Sequence, residues 1–153
     1  MRLAGTERLT ASRAALWAVL EDPERLAAAL PHVDDLVRHE DGSFGATIRP
    51  ALALGEVPFR TVWRRDGGVA GEALSYEVQG RSEEYRLDLH ADLRLTAEPD
   101  GATTLAWNLD CGFTGTMGAV GQRVLPAIVR HQVQLVLAAA ARQAQAPSEG
   151  GGP

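Results

Sequence analysis

Asp88, His90 and Asp92 alternate along the stretch DLHAD, the part of the chain most readily read as metal-binding. An imidazole beside carboxylates suits a hard or borderline cation. On an extended strand all three side chains point to one side. The outer two then lie about 13 Å apart, so one ion cannot take all three. Arg86 and Arg94 bracket them on the same side. The expectation is a solvated strand face laced with ion pairs, with no metal ligand assigned. Cys111 and His131 raise a nucleophile question, since a thiol needs a placed base. No aspartate or asparagine at a recognisable spacing completes such a set. Cys111 alternates with Leu109 and Phe113, so it is expected to be a small core residue, and no catalytic residue is assigned. For His32, in LPHVDDL after the second short helix, two placements stay open, the pocket mouth and the favoured exposed loop.

Gln132 is the polar residue of greater interest. Ile128, Gln132 and Val136 are spaced by four and share one ridge of a helix. Gln132 then sits among Val124, Leu125, Ile128 and Val136, facing the sheet. A buried amide needs partners. Two readings stay open: the amide bonds a hydroxyl or a trapped water, or it touches the polar group of a small molecule. A single polar group in an apolar pocket is the usual design of a ligand site.

The elements that position these residues follow from the pattern. RLAGTERLT reads as a first strand. Ser12 caps a short helix with Leu16, Trp17, Val19 and Leu20 on its apolar stripe. Asp22 caps a second, with Pro23 in its first turn, and Pro31 ends it. Neither piece is long enough to stand alone, so both must dock on something larger. The next segments read as six strands: VDDLVRHE, SFGATIRPALAL with a bend or edge at Pro50, VPFRTVWRR, EALSYEVQG, EYRLDLHADLRLTAE and TTLAWNLDCGF. Asp41-Gly42, Asp66-Gly67-Gly68 and EPDG are the turns. Alternation predicts one wet face and one dry face. The dry face is predicted to hold Phe44, Phe59, Trp63, Leu74, Tyr76, Leu87, Leu89, Leu105, Trp107 and Leu109. Its cover must be the long helical segment from Met117 to Gln143, with Pro126 bending it or marking its first full turn.

The fold class is therefore α+β: a curved seven-stranded antiparallel sheet around a long C-terminal helix, with two short helices after strand 1. Residues 1–145 form one domain and 146–153, APSEGGGP, a disordered tail. The net charge of −5 argues against a nucleic-acid role. All 15 basic residues are arginine, which fits a GC-rich coding bias alongside the abundant alanine and glycine. One cysteine excludes an intrachain disulfide and favours a cytoplasmic chain. The apolar stretch VLPAIVRHQVQLVLAAAA carries Arg130, His131, Gln132 and Gln134, so no membrane-spanning segment is expected.

The order of elements is similar to the helix-grip fold of the START and birch-pollen-allergen (SRPBCC) superfamily. Within it the chain resembles the carbon monoxide dehydrogenase G-type subunit (CoxG-like) family. LWAVLEDPERLAAALP, EPDGATTLAW and GAVGQRVLPAIV carry the likeness, over roughly residues 1–145. Where family members carry a Gly-Cys-like pair after the proline, this chain has His32-Val33, and it ends in SEGGGP where longer members continue into an apolar anchor. The resemblance implies a carrier or accessory subunit of a molybdenum-hydroxylase-type system that binds a hydrophobic or aromatic small molecule, a quinone or lipid. It implies peripheral membrane contact without an anchor, and no cofactor. Two alternatives stay open: a polyketide cyclase or dehydratase-like enzyme, and a protein-interaction module. The cavity wall is expected to comprise Phe59, Trp63, Tyr76, Leu87, Leu89, Trp107 and Leu109 from the sheet, and Val124, Ile128 and Gln132 from the helix.

Overall fold

The computed structural model describes residues 1–30, 33–49, 51–52, 55–56, 58–115 and 119–145, with the backbone alone at 51–52, 55–56 and 119–121. His32, Pro50, Met117, Gly118 and the tail 146–153, on which several expectations fall, lie outside the described residues.

The chain opens with β1 (Arg2–Leu9), then α1 (Arg13–Leu20) and α2 (Pro23–Ala29). Both caps form as the sequence requires: Ser12 Oγ accepts from the Ala15 amide at 3.2 Å, and Asp22 Oδ1 from the Glu24 amide at 3.0 Å. Strands β2 (Val33–Arg38), β3 (Phe44–Ile48), β6 (Phe59–Val69), β7 (Ala73–Arg81), β8 (Tyr85–Ala97) and β9 (Thr103–Gly115) complete a seven-stranded antiparallel sheet in the order β1-β9-β8-β7-β6-β3-β2. The expected single strand SFGATIRPALAL is instead divided. β3 stops at Ile48, and Ala51–Leu52 (β4) pairs with Gly55–Glu56 (β5) as a separate small ladder. Proline cannot continue a ladder, and Pro50 stands at that break in the sequence.

The dry face holds the predicted residues. Phe44, Phe59, Leu74, Tyr76, Leu105, Trp107 and Leu109 are buried, and Trp63, Leu87 and Leu89 are half-buried. Burial along β8 is graded. Leu95 is sealed in the core, Leu93 is buried at the edge of a cavity, and the half-buried Leu87 and Leu89 face that cavity more openly.

That covering helix is α3 (Ala119–Gln145). By length and composition alone its segment Gln122–Gln145 is long and apolar enough to cross a membrane, despite Arg130, His131, Gln132 and Gln134. Here Leu137, Ala140 and Ala141 bury against α1 and the sheet. Pro126 lies inside the helix and not in its first turn, where it withholds one backbone donor. The short helices close one end of the space under α3. The Tyr76 hydroxyl ties that end to the sheet by donating to the Leu20 carbonyl at 2.5 Å. Tyr76→Phe should lower stability by about 1–2 kcal/mol in urea unfolding, because a buried acceptor loses its donor.

Candidate ligand cavity

Between α3 and the dry face lies a cavity of about 200 Å³. From the sheet, Phe59, Trp63, Tyr76, Leu87, Leu89, Trp107 and Leu109 line it, as do Ile128 and Gln132 from the helix. Val124, expected on this wall, does not line it. Leu125 and Val136, expected to face the sheet beside Gln132, do, and Val129, Val133 and Leu137 join them. At 3.6 residues per turn the stripe centred on 125, 129, 132 and 136 faces inward, and position 124 falls to its side. The ridge of residues spaced by four is thus not the centre of the buried face, and the helix is rotated slightly about its axis from the expected setting. Val129 and Val133, one position on from Ile128 and Gln132, carry the signal for that rotation, since they complete the apolar stripe at i, i+4, i+7 and i+8. Leu20, Leu26 and Leu30 close the wall at the short-helix end, so the two short helices plug one end of the space.

The polar tips of the aromatic wall are turned away from ligand chemistry. Trp63 Nε1 donates to Thr61 Oγ1 at 2.7 Å, and that hydroxyl donates to the Ala46 carbonyl at 2.6 Å. Tyr76 is engaged with Leu20, and burial pushes its phenol far above the ordinary range. The Trp63 and Tyr76 rings meet edge to face, with centroids 6.3 Å apart. Trp107 lies over Gly5 of β1, where an added Cβ would stand 2.5 Å from the indole. The Arg130 guanidinium sits 5.3 Å from the ring centroid and donates to the Ala4 carbonyl. The buried Trp107 Nε1 has no hydrogen-bond partner among the described residues.

Gln132 is half-buried on this wall, and its amide has no hydrogen-bond partner among the described residues. Cys111 lines the cavity too, and burial raises its thiol pKa, which keeps it protonated. His131 is exposed and does not line the cavity, so the structure does not bring it to Cys111.

On the opposite face, the DLHAD residues separate. His90 Nδ1 meets Glu77 of β7, its direct cross-strand partner, and Nε2 meets Asp92 at 3.0 Å, while Asp88 stands apart from both. The hydrogen bond to Glu77, and secondarily Asp92, raises the His90 pKa.

The sheet order, the paired short helices and the cavity under the long helix are the features against which known families can be compared. A model of the carbon monoxide dehydrogenase G-type subunit (CoxG) family matches residues 5–144. The chain belongs to the CoxG family. Solved structures of the START and SRPBCC group share the fold. A conserved protein from Geobacillus kaustophilus superposes with a TM-score of 0.84 at 16% identity, covering 94% of this chain and 95% of that one. The Zhui aromatase/cyclase from Streptomyces sp. R1128 gives 0.68 at 15% identity, over 100% and 99% of the two chains. A START superfamily protein from Mycobacterium smegmatis gives 0.66 at 11%, over 93% and 97%. No curated protein matches the chain. Within this CoxG-family fold, the described cavity wall is almost wholly apolar, and Gln132 is the one amide-bearing side chain that lines it.

Proposed function

We propose that this CoxG-family chain binds a hydrophobic small molecule with one hydrogen-bonding group, a quinone or a lipid. It would hold that molecule between α3 and the sheet and act as a cytoplasmic carrier or accessory subunit of a molybdenum-hydroxylase-type system. The observation that carries the reading is the Gln132 amide, unpartnered among the described residues, on an otherwise apolar wall. An apolar enclosure supplies most of the binding free energy, and one placed polar group supplies orientation. The family match supports the accessory-subunit role. A cyclase or dehydratase would need an acid and a base facing the ligand. Among the described residues Thr61 and Tyr76 are both occupied with backbone carbonyls, and the Cys111 thiol has no hydrogen-bonded base.

A fluorescence titration tests this, using the emission of Trp63 and Trp107. The expected result is saturable binding of a quinone. Gln132→Leu should weaken a quinone by up to about tenfold, the worth of one neutral hydrogen bond, and leave a plain alkane-like ligand unchanged. Binding of both ligands that is identical in the variant and the parent would remove Gln132 from the site.

A further inference from the structure

The wet face of the sheet, opposite the cavity, gathers a second set of chemically capable side chains from three adjacent strands. Glu77 of β7 stands directly across from His90 of β8 in the register. On β6 the pairing slips between Arg65 and Gly68, so that Asp66 and Gly67 together face Ser75 alone. Gly67 turns the chain there with φ of 70°. Such a bulge redirects the side chain it carries. Asp66 thereby joins the pair, and one ligand atom from each of Asp66, Glu77 and His90 lies within 4.8 Å of the other two.

The ligand set is chemically coherent. Around a four-coordinate ion, with metal–nitrogen and metal–oxygen bonds near 2.0–2.2 Å, ligand atoms lie about 3.4 Å apart. Small rotations of these side chains would draw the wider contacts in to that value and part the direct His90–Glu77 hydrogen bond, which is shorter than it, to admit the ion. One imidazole nitrogen with two carboxylate oxygens suits zinc and its neighbours, whereas magnesium and calcium are served by oxygen alone. The other imidazole nitrogen already meets Asp92, which also accepts from the Ser75 hydroxyl. A carboxylate behind a ligating histidine holds the ring and selects the tautomer whose free nitrogen faces the metal. The surrounding charge is negative on balance. Asp88 and Asp110 flank His90, Arg64 is engaged by Asp41, Arg2 is engaged by Asp110, and Arg86 and Arg94 are the cations of β8.

We propose that Asp66, Glu77 and His90 form a surface site for a divalent transition-metal ion of the zinc type, which clamps β6, β7 and β8 together on the face away from the cavity. A water completes the coordination, because three protein ligands leave a position open. The site is independent of the ligand reading, since its residues and the cavity residues occupy opposite faces of the same strands.

Isothermal titration of the metal-free chain with zinc chloride tests it, together with anomalous diffraction at the zinc edge from soaked crystals. The expected result is one zinc per chain, with anomalous density between the three side chains. His90→Ala, Glu77→Gln and Asp66→Asn should each weaken zinc at least tenfold. Asp92→Asn should weaken it about tenfold through the lost orientation of the ring. Asp88→Asn should leave it unchanged. All five positions are on the wet face, and circular dichroism confirms that each variant folds. Zinc that binds His90→Ala as tightly as the parent, no heat up to millimolar zinc, or magnesium binding equal to zinc would each overturn the proposal. Quinone titration in the presence of zinc should be unaltered.

Discussion

Replacing Ile128 by tryptophan is expected to abolish quinone binding while leaving the domain folded. Ile128 lines the cavity from α3, one turn before Gln132, facing the aromatic wall of the sheet. The cavity holds about 200 Å³, and an indole in place of a sec-butyl group would project into it and narrow the space between helix and sheet. The added volume enters existing space, so the cost to stability should stay within the 1–3 kcal/mol or so typical of overpacking. Fluorescence titration would read at least a hundredfold loss for both a quinone and a fatty acid, beside a cooperative urea transition. Parent-like affinity in a folded Ile128→Trp variant would place the ligand elsewhere. Together with Gln132→Leu this separates volume from polarity: the first change should affect every ligand, the second only those with a carbonyl or hydroxyl.

The largest effect on stability is expected at Trp107. Its indole is buried, lies against Gly5 and is covered by Arg130, so three elements meet on one ring. Trp107→Ala should cost about 3–5 kcal/mol, the range for emptying a buried aromatic site. Gly5 supplies an internal check. In the parent, Gly5→Ala forces a Cβ to within 2.5 Å of the indole and should destabilise the domain. In the Trp107→Ala background the same change meets no ring and should be close to neutral. A double-mutant cycle by urea unfolding measures that coupling. Additive effects of the two substitutions would show that the ring does not rest on Gly5 in solution.

The helix caps, the strand faces and the order of elements were legible in the sequence because each depends on near neighbours. Ser12 and Asp22 reach amides two or three residues away. Alternation along EYRLDLHADLRLTAE places Leu87 and Leu89 on one side and Asp88 and His90 on the other, whatever lies across from them. The likeness to the CoxG family was carried by LWAVLEDPERLAAALP together with EPDGATTLAW and GAVGQRVLPAIV, and the family model matches residues 5–144.

What the tertiary structure decided were relations between segments distant in the chain. Rotation of α3 about its axis turned Val129 and Val133 inward and Val124 aside. That rotation is set by how the whole helix packs, and adjacent ridges of an apolar helix look equally buried in a string of letters. Strand register brought Glu77 to His90, and the bulge at Asp66 and Gly67 brought a second carboxylate. A one-residue slip in pairing would have parted them. DLHAD by itself argued against a shared ion because its residues are spread along one strand. Across strands about 4.8 Å apart, side chains far apart in sequence become neighbours.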